Sequence, residues 1–249
     1  MPTVHAVPVV GVLALAALLT ALSVPAGVGV GIGVVGMVVG LTCAMAANVL
    51  LAVALQRTAT TRFGPANAVT LSRVVLGQVV AALVAESFVG NDHRGLLVSI
   101  TVLALVLDFV DGRVARRTES VSDLGARFDM EADAFLILVL SLYAAPLVGD
   151  WVLMIGAARY ALLAAEQIWV WLRAPLPRRY WRKVVAAIQG IALTAAVAEV
   201  LPPSVTVAAL VVSLGLLGES FGRDVWFLAR SSARHPVPSQ VLVSGAVDG

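Results

Sequence analysis

Four aspartates, Asp108, Asp111, Asp129 and Asp133, fall within the single stretch DFVDGRVARRTESVSDLGARFDMEAD. A helix turns about 100° per residue, which sets Asp108, Asp111, Gly112 and Ala115 within an arc of about 100°. Two carboxylates therefore share a face with the two smallest side chains. Gly125, Asp129 and Asp133 follow one another at four-residue intervals and share a second face. The two segments flank one short connection, so they are expected to be neighbours whose acidic faces meet. Four carboxylates packed together repel unless a cation lies between them. All-oxygen ligation suits Mg2+ or Mn2+ rather than zinc. Gly112 and Ala115 leave room against the helix for a flat or bulky ligand, and Arg116 can meet phosphate charge.

The elements that carry these residues are apolar. The chain has 249 residues, 60% hydrophobic and 13% charged, with a mean hydropathy of +0.96. A soluble domain carries about 25% charged residues. A water-soluble enzyme and a disordered tail protein are thereby excluded, and a net charge of +2 argues against a nucleic-acid binder. The composition predicts an all-α, polytopic membrane helix bundle. Apolar runs cover roughly Val7–Pro25, Val28–Leu55, Ala66–Val89, Gly95–Val110, Asp129–Val148, Trp151–Leu172, Val184–Leu201 and Ser204–Leu228. The fourth is expected to continue as a helix to about Arg117, which gives eight helices. Met1–Ala6 has no Lys or Arg, so the first run is expected to be a retained helix rather than a signal peptide. Cys43, the lone cysteine, excludes an internal disulfide and reads as a small hydrophobe. Gly31, Gly33 and Gly36 spell a dinucleotide-like string, but inside an apolar run. There Gly29/Gly33 and Gly36/Gly40 are expected to let helices pack closely.

Arginines gather in alternate loops. Arg57, Arg62 and Arg73 follow the second run, and Arg113, Arg116, Arg117 and Arg127 lie between the fourth and fifth. Arg173, Arg178, Arg179, Arg182 and Lys183 lie between the sixth and seventh, and Arg223, Arg230 and Arg234 lie at the end. The remaining loops hold only Arg94. The positive-inside rule places the Arg-rich loops, both termini and the aspartates at the cytoplasmic side of the plasma membrane. The tail 231–249 reads as flexible. Metal, carboxylates and phosphate in a lipid-facing bundle point to phosphoryl transfer on a lipid. A cation transporter is the alternative from another class. It would need polar residues spread across the bilayer, whereas these cluster at one side.

The acidic segment resembles the signature of the CDP-alcohol phosphatidyltransferases, D-x2-D-G-x2-A-R-x8-G-x3-D-x3-D. Asp108, Asp111, Gly112, Ala115, Arg116, Gly125, Asp129 and Asp133 match every fixed position. Asn67, Thr70 and Arg73 resemble the N-x2-T-x2-R segment that opens the family's first core helix. Lys183 and Gln189 resemble part of a K-x-K-T-x2-Q stretch of glycerol-phosphate-using members, with Val185 and Ala186 replacing its second Lys and its Thr. The resemblance implies a six-helix core over 57–230, two additional N-terminal transmembrane helices over 1–56, and a homodimer. It implies that Asp108, Asp111 and Asp129, with Asp133 close by, bind a pair of divalent ions, Mg2+ or Mn2+. Gly112, Ala115, Arg116 and Gly125 would line the nucleotide site, with Asn67, Thr70 and Arg73 in support. Asp133 would be the general base in transfer from CDP-diacylglycerol to a small alcohol, with release of CMP. The acceptor could be a phosphorylated polyol, such as inositol phosphate or glycerol 3-phosphate, or an unphosphorylated alcohol. In the reversed assignment a CDP-alcohol would donate to diacylglycerol.

Arg159 and Arg223 are the candidates for the acceptor site. Arg159 shares a helix face with Glu166, and Arg223 with Glu219, so each could instead form an ion pair. The loop Ala174–Lys183, with Tyr180 and Trp181, reads as an interfacial anchor, with attraction of anionic lipid or acceptor as the alternative. Glu119, Asp123 and Glu131 fall off the motif faces and are expected to be solvated.

Overall fold

The computed structural model describes residues 15–16, 18–20, 31–58, 65–118, 123–169, 171 and 180–234; within these, the side chains of 51–58, 65–69, 110–118, 123–127, 180 and 231–234 are not described. Helix α1 spans Val34–Thr58, α2 Pro65–Phe88, α3 Arg94–Thr118, α4 Asp123–Val148, α5 Leu153–Ile168, α6 Tyr180–Ala198 and α7 Pro203–Arg234. A 3-10 turn, Asp150–Val152, leads into α5. The described residues of the first apolar run are helical, and Leu15 and Leu19 are buried in the core. The described residues are therefore all-α, as their hydropathy requires. Both α2 and α7 open on proline, whose missing N–H costs nothing at a first helical position.

Helices α2 and α4 are the central pair. Helix α2 packs against α1, α3 and α4, and α4 packs also against α1, α5 and α6. Helix α6 closes the bundle against α3 and α7. Buried Val79, Val80, Leu83, Leu136, Leu140 and Leu193 fill the space between them. Among the described residues, four segments are long and apolar enough to cross a bilayer: Thr70–Phe88, Phe128–Val148, Trp181–Ala198 and Pro203–Arg230. Helix α3 has only about 20 Å of apolar rise before Asp108, and α5, at 16 residues, carries Arg159 and Glu166. As expected, α3 runs on through the aspartates, to Thr118.

Three boundaries differ from the expectation. Residues 31–33 are not helical and α1 starts at Val34 rather than near Val28. Glycines at 31 and 33 disfavour helix there, at roughly 1 kcal/mol each. The α-helix of the sixth run ends at Ile168. The last helix continues to Arg234, past the start of the expected flexible tail.

The start of α1 is held by a side chain of α2. Glu86 of α2, 1% exposed, accepts a hydrogen bond from the Gly36 N–H at 2.6 Å and another from Asn91 Nδ2 at 2.9 Å. A helix N-terminus has unsatisfied N–H groups and partial positive charge, so a buried carboxylate is well placed there. A Cβ on Gly36 would lie 2.9 Å from the Ala82 carbonyl oxygen, and one on Gly40 3.3 Å from the Ala82 Cβ. These glycines therefore let α1 approach α2, as their spacing predicts. At the end of the bundle away from Asp108, Arg94 reaches Glu199 at 2.5 Å and Asp92 at 3.7 Å. Tyr143 donates to Asp92 at 2.8 Å. The one basic residue among the Arg-poor loops is thus neutralised by local acids.

Among the described glycines, the closest helix approach is between α4 and α5. A Cβ on Gly156 would lie 2.6 Å from the Leu138 Cα and 2.9 Å from the Ser141 Oγ. The Leu138 backbone cannot yield as a flexible side chain can. Gly156→Ala is expected to cost about 1–3 kcal/mol and to lower the thermal midpoint of the detergent-solubilised protein. An unchanged midpoint would show that the two helices separate freely.

Candidate active site

The site lies where α2, α3 and α4 converge. Asp108 comes from α3, Asp129 and Asp133 from α4, and Arg73 from α2. The four-residue spacing of Asp129 and Asp133 sets both on one face of α4, as the sequence predicts. Ligand oxygens of Asp108, Asp129 and Asp133 all lie within 4.8 Å of one another. The Arg73 guanidinium sits among them. Its Nη1 pairs with Asp108 at 2.8 Å and also with Asp129, and its Nη2 donates to Asp133. Arg73 is buried, with 4% of its side chain exposed, whereas the carboxylates are 37%, 20% and 29% exposed. The cluster therefore opens on the carboxylate side and is closed behind the arginine. Lys183, at the start of α6, places its Nζ 3.7 Å from Asp129 Oδ2 and is mostly exposed.

The donor set fits a hard divalent cation. Three carboxylate oxygens within 4.8 Å of one another could close on a single such ion. Three carboxylates against one arginine leave negative charge that Lys183, largely in solvent, offsets only in part.

Sequence reasoning brings Arg73 and three of the four aspartates to this point. Thr70 lies one turn before Arg73 and is buried. Asp111, Gly112, Ala115 and Arg116 continue α3, Gly125 lies in the first turn of α4 and Asn67 in that of α2. The side chains of these six lie outside the described residues. Arg159 pairs with Glu131 of α4 at 2.5 Å. Glu131 is therefore not simply solvated as expected: α5 packs on that face of α4 and supplies it with a cation. Glu131 lies between Asp129 and Asp133 in sequence, hence at their depth. It is nevertheless turned about 160–200° from them around the helix. Arg223 pairs with Glu219, its neighbour one turn earlier, and Glu219 also accepts from Trp181 Nε1 at 3.1 Å. An unforeseen pair lies close by in sequence: Asp224, 4% exposed, faces Arg182 at 3.4 Å and ties the start of α6 to α7. An acid inside an apolar run was the available signal for both Glu86 and Asp224.

A comparison with protein-family models matches residues 63–217 to the CDP-alcohol phosphatidyltransferase model. That range holds Arg73, all four aspartates and Lys183, and excludes the first apolar run and α1. A search of curated proteins finds no match. With more than half of its length matched, and with Asp108, Asp129 and Asp133 of the signature gathered at one site, the chain belongs to the CDP-alcohol phosphatidyltransferase family.

Proposed function

We propose that this protein transfers a phosphatidyl group from CDP-diacylglycerol to a small phosphorylated polyol and releases CMP. Phosphatidyl transfer from a CDP-alcohol to an acceptor is the family's chemistry. The observation that carries the proposal is the convergence of Asp108, Asp129 and Asp133 beside apolar segments long enough to cross a bilayer. Such a site meets a lipid-borne pyrophosphate at the membrane surface.

Asp108, Asp111 and Asp129, with Asp133 adjacent, would hold a pair of Mg2+ or Mn2+ ions. When bound, these would supply positive charge against the pyrophosphate. Asp133 accepts the proton of the acceptor hydroxyl. The hydroxyl oxygen forms a bond to the lipid-side phosphorus, and the bond from that phosphorus to the bridging oxygen breaks. CMP leaves with the bonding pair. Gly112, Ala115, Arg116 and Gly125 line the nucleotide site, with Asn67 and Thr70 behind it. The Arg-rich loops orient this site to the cytoplasm, with both termini on the same side, in the plasma membrane. The two N-terminal helices are an addition to a six-helix core, and the enzyme is a homodimer.

Lys183 supports a phosphorylated acceptor. It is an exposed cation within 3.7 Å of Asp129, at the mouth of the cluster. Arg223, exposed on α7 beside Glu219, which itself meets Trp181 near the start of α6, can join it once released from Glu219. Arg159, by contrast, faces the far side of α4, and we assign it to packing.

The test uses purified protein, labelled CDP-diacylglycerol and Mg2+, offered glycerol 3-phosphate, inositol phosphate, inositol, serine or diacylglycerol. CMP release is expected with a phosphorylated polyol and not after chelation of the metal. Release with none of the five would overturn transfer from CDP-diacylglycerol. Release only with an unphosphorylated acceptor would overturn the role given to Lys183.

A further inference from the structure

We propose that Arg73 is a tethered counter-cation, which holds the acidic cluster together in the metal-free enzyme and is displaced when metal enters. The inference rests on the metal-dependent reading of the site. It adds a step before catalysis, in which the enzyme's own guanidinium competes with the metal for the same oxygens.

Two observations support it. The first is placement. One guanidinium contacts three carboxylates that come from two different helices, so it occupies the centre of the donor set rather than its rim. A metal ion cannot bind those oxygens while both Nη atoms hold them. The second is the rest of the guanidinium. Its Nε is buried without a hydrogen-bond partner. An arginine serving only as a permanent anchor would be expected to satisfy Nε too, because a buried donor left unpaired is destabilising. Here the Nη groups alone are matched, and to carboxylates that a divalent ion would hold more strongly. Like charges explain why such a device is needed. Without metal, three partly buried carboxylates from α3 and α4 would push their helices apart, and the arginine of α2 prevents this. It also engages Asp133, so the proposed base is free to meet an acceptor hydroxyl only after the arginine has left.

Mn2+ binding to the full-length, metal-stripped protein, followed by the electron paramagnetic resonance of free Mn2+, tests the proposal without relying on turnover. Removing a competitor raises apparent affinity by the inverse of the fraction of sites that were open. Arg73→Gln is expected to bind Mn2+ about tenfold or more tighter than wild type. Arg73→Lys, which keeps a cation with fewer donors, should fall between them. Metal-free Arg73→Gln should also unfold at a lower temperature than metal-free wild type, with saturating Mn2+ closing the gap. Equal or weaker Mn2+ binding by Arg73→Gln, while wild type binds, overturns the displacement and leaves metal-dependent transfer standing. No Mn2+ binding by wild type or variants overturns both. If Arg73→Gln does not fold, Arg73→Lys decides alone: tighter binding than wild type supports displacement, and equal or weaker binding overturns it.

Discussion

Asp133→Asn is expected to lower turnover by about 10²–10⁴-fold while CDP-diacylglycerol still binds. Asparagine has the shape of aspartate and keeps a carbonyl oxygen that can accept from Arg73, so the packing of α2 on α4 should survive. It cannot take a proton from an acceptor hydroxyl at neutral pH. The loss should therefore appear in kcat, with little change in the Kd for the CDP-lipid measured separately. Asp129 makes the informative comparison. It shares the face of α4 with Asp133, accepts from Arg73 Nη1 and lies beside Lys183. Asp129→Asn removes a proposed metal ligand and should weaken Mn2+ binding more than Asp133→Asn does. If Asp133→Asn turns over at the wild-type rate, the base lies elsewhere. If it loses CDP-lipid and Mn2+ binding together with activity, Asp133 is a ligand and not a base.

The residues of that experiment can be identified without coordinates because local periodicity places them. Asp129 and Asp133 are one helical turn apart, and Asp108 lies in an apolar run that has reason to continue as helix. Arg73 is different. Nothing in the spacing of α2 shows that it enters the cluster, and only the resemblance of Asn67, Thr70 and Arg73 to the family's first core helix brings it near. Pairings between helices distant in sequence have no period at all. Arg159 illustrates the limit. Counting along its own helix offers Glu166, whereas its observed partner is Glu131 on the preceding helix. The same holds for Glu86 and α1, and for Arg182 and Asp224. Each is an acid in an apolar run, detectable as an oddity, but its partner is fixed by how the helices pack. The start of α1 lies later than the apolar run for a simpler reason: hydropathy counts glycine as nearly neutral, while its backbone entropy ends a helix.

Lys183→Ala and Arg159→Ala should separate the two cations by the parameter each one changes. A charged hydrogen bond lost from a bound phosphate is worth about 1.5–3 kcal/mol. Lys183→Ala is thus expected to raise KM for a phosphorylated polyol by about tenfold to a hundredfold, with the thermal midpoint nearly unchanged because its side chain is 69% exposed. Arg159 has the opposite signature. Its side chain is mostly buried, and it bonds Glu131 across the α4–α5 contact. Truncation there leaves a half-buried carboxylate unpaired, so stability should fall while KM holds. Glu131→Gln, combined with Arg159→Ala, provides the check. If the pair acts only in packing, the double variant should be no less stable than Arg159→Ala alone, because the charge left unpaired is gone. A rise in KM confined to Arg159→Ala would instead place the acceptor on the α5 side of α4. It would require Arg159 to leave Glu131 when substrate arrives. A KM unchanged in Lys183→Ala would remove the present reason for preferring a phosphorylated acceptor, because Lys183 is the cation whose position beside the cluster supports that choice.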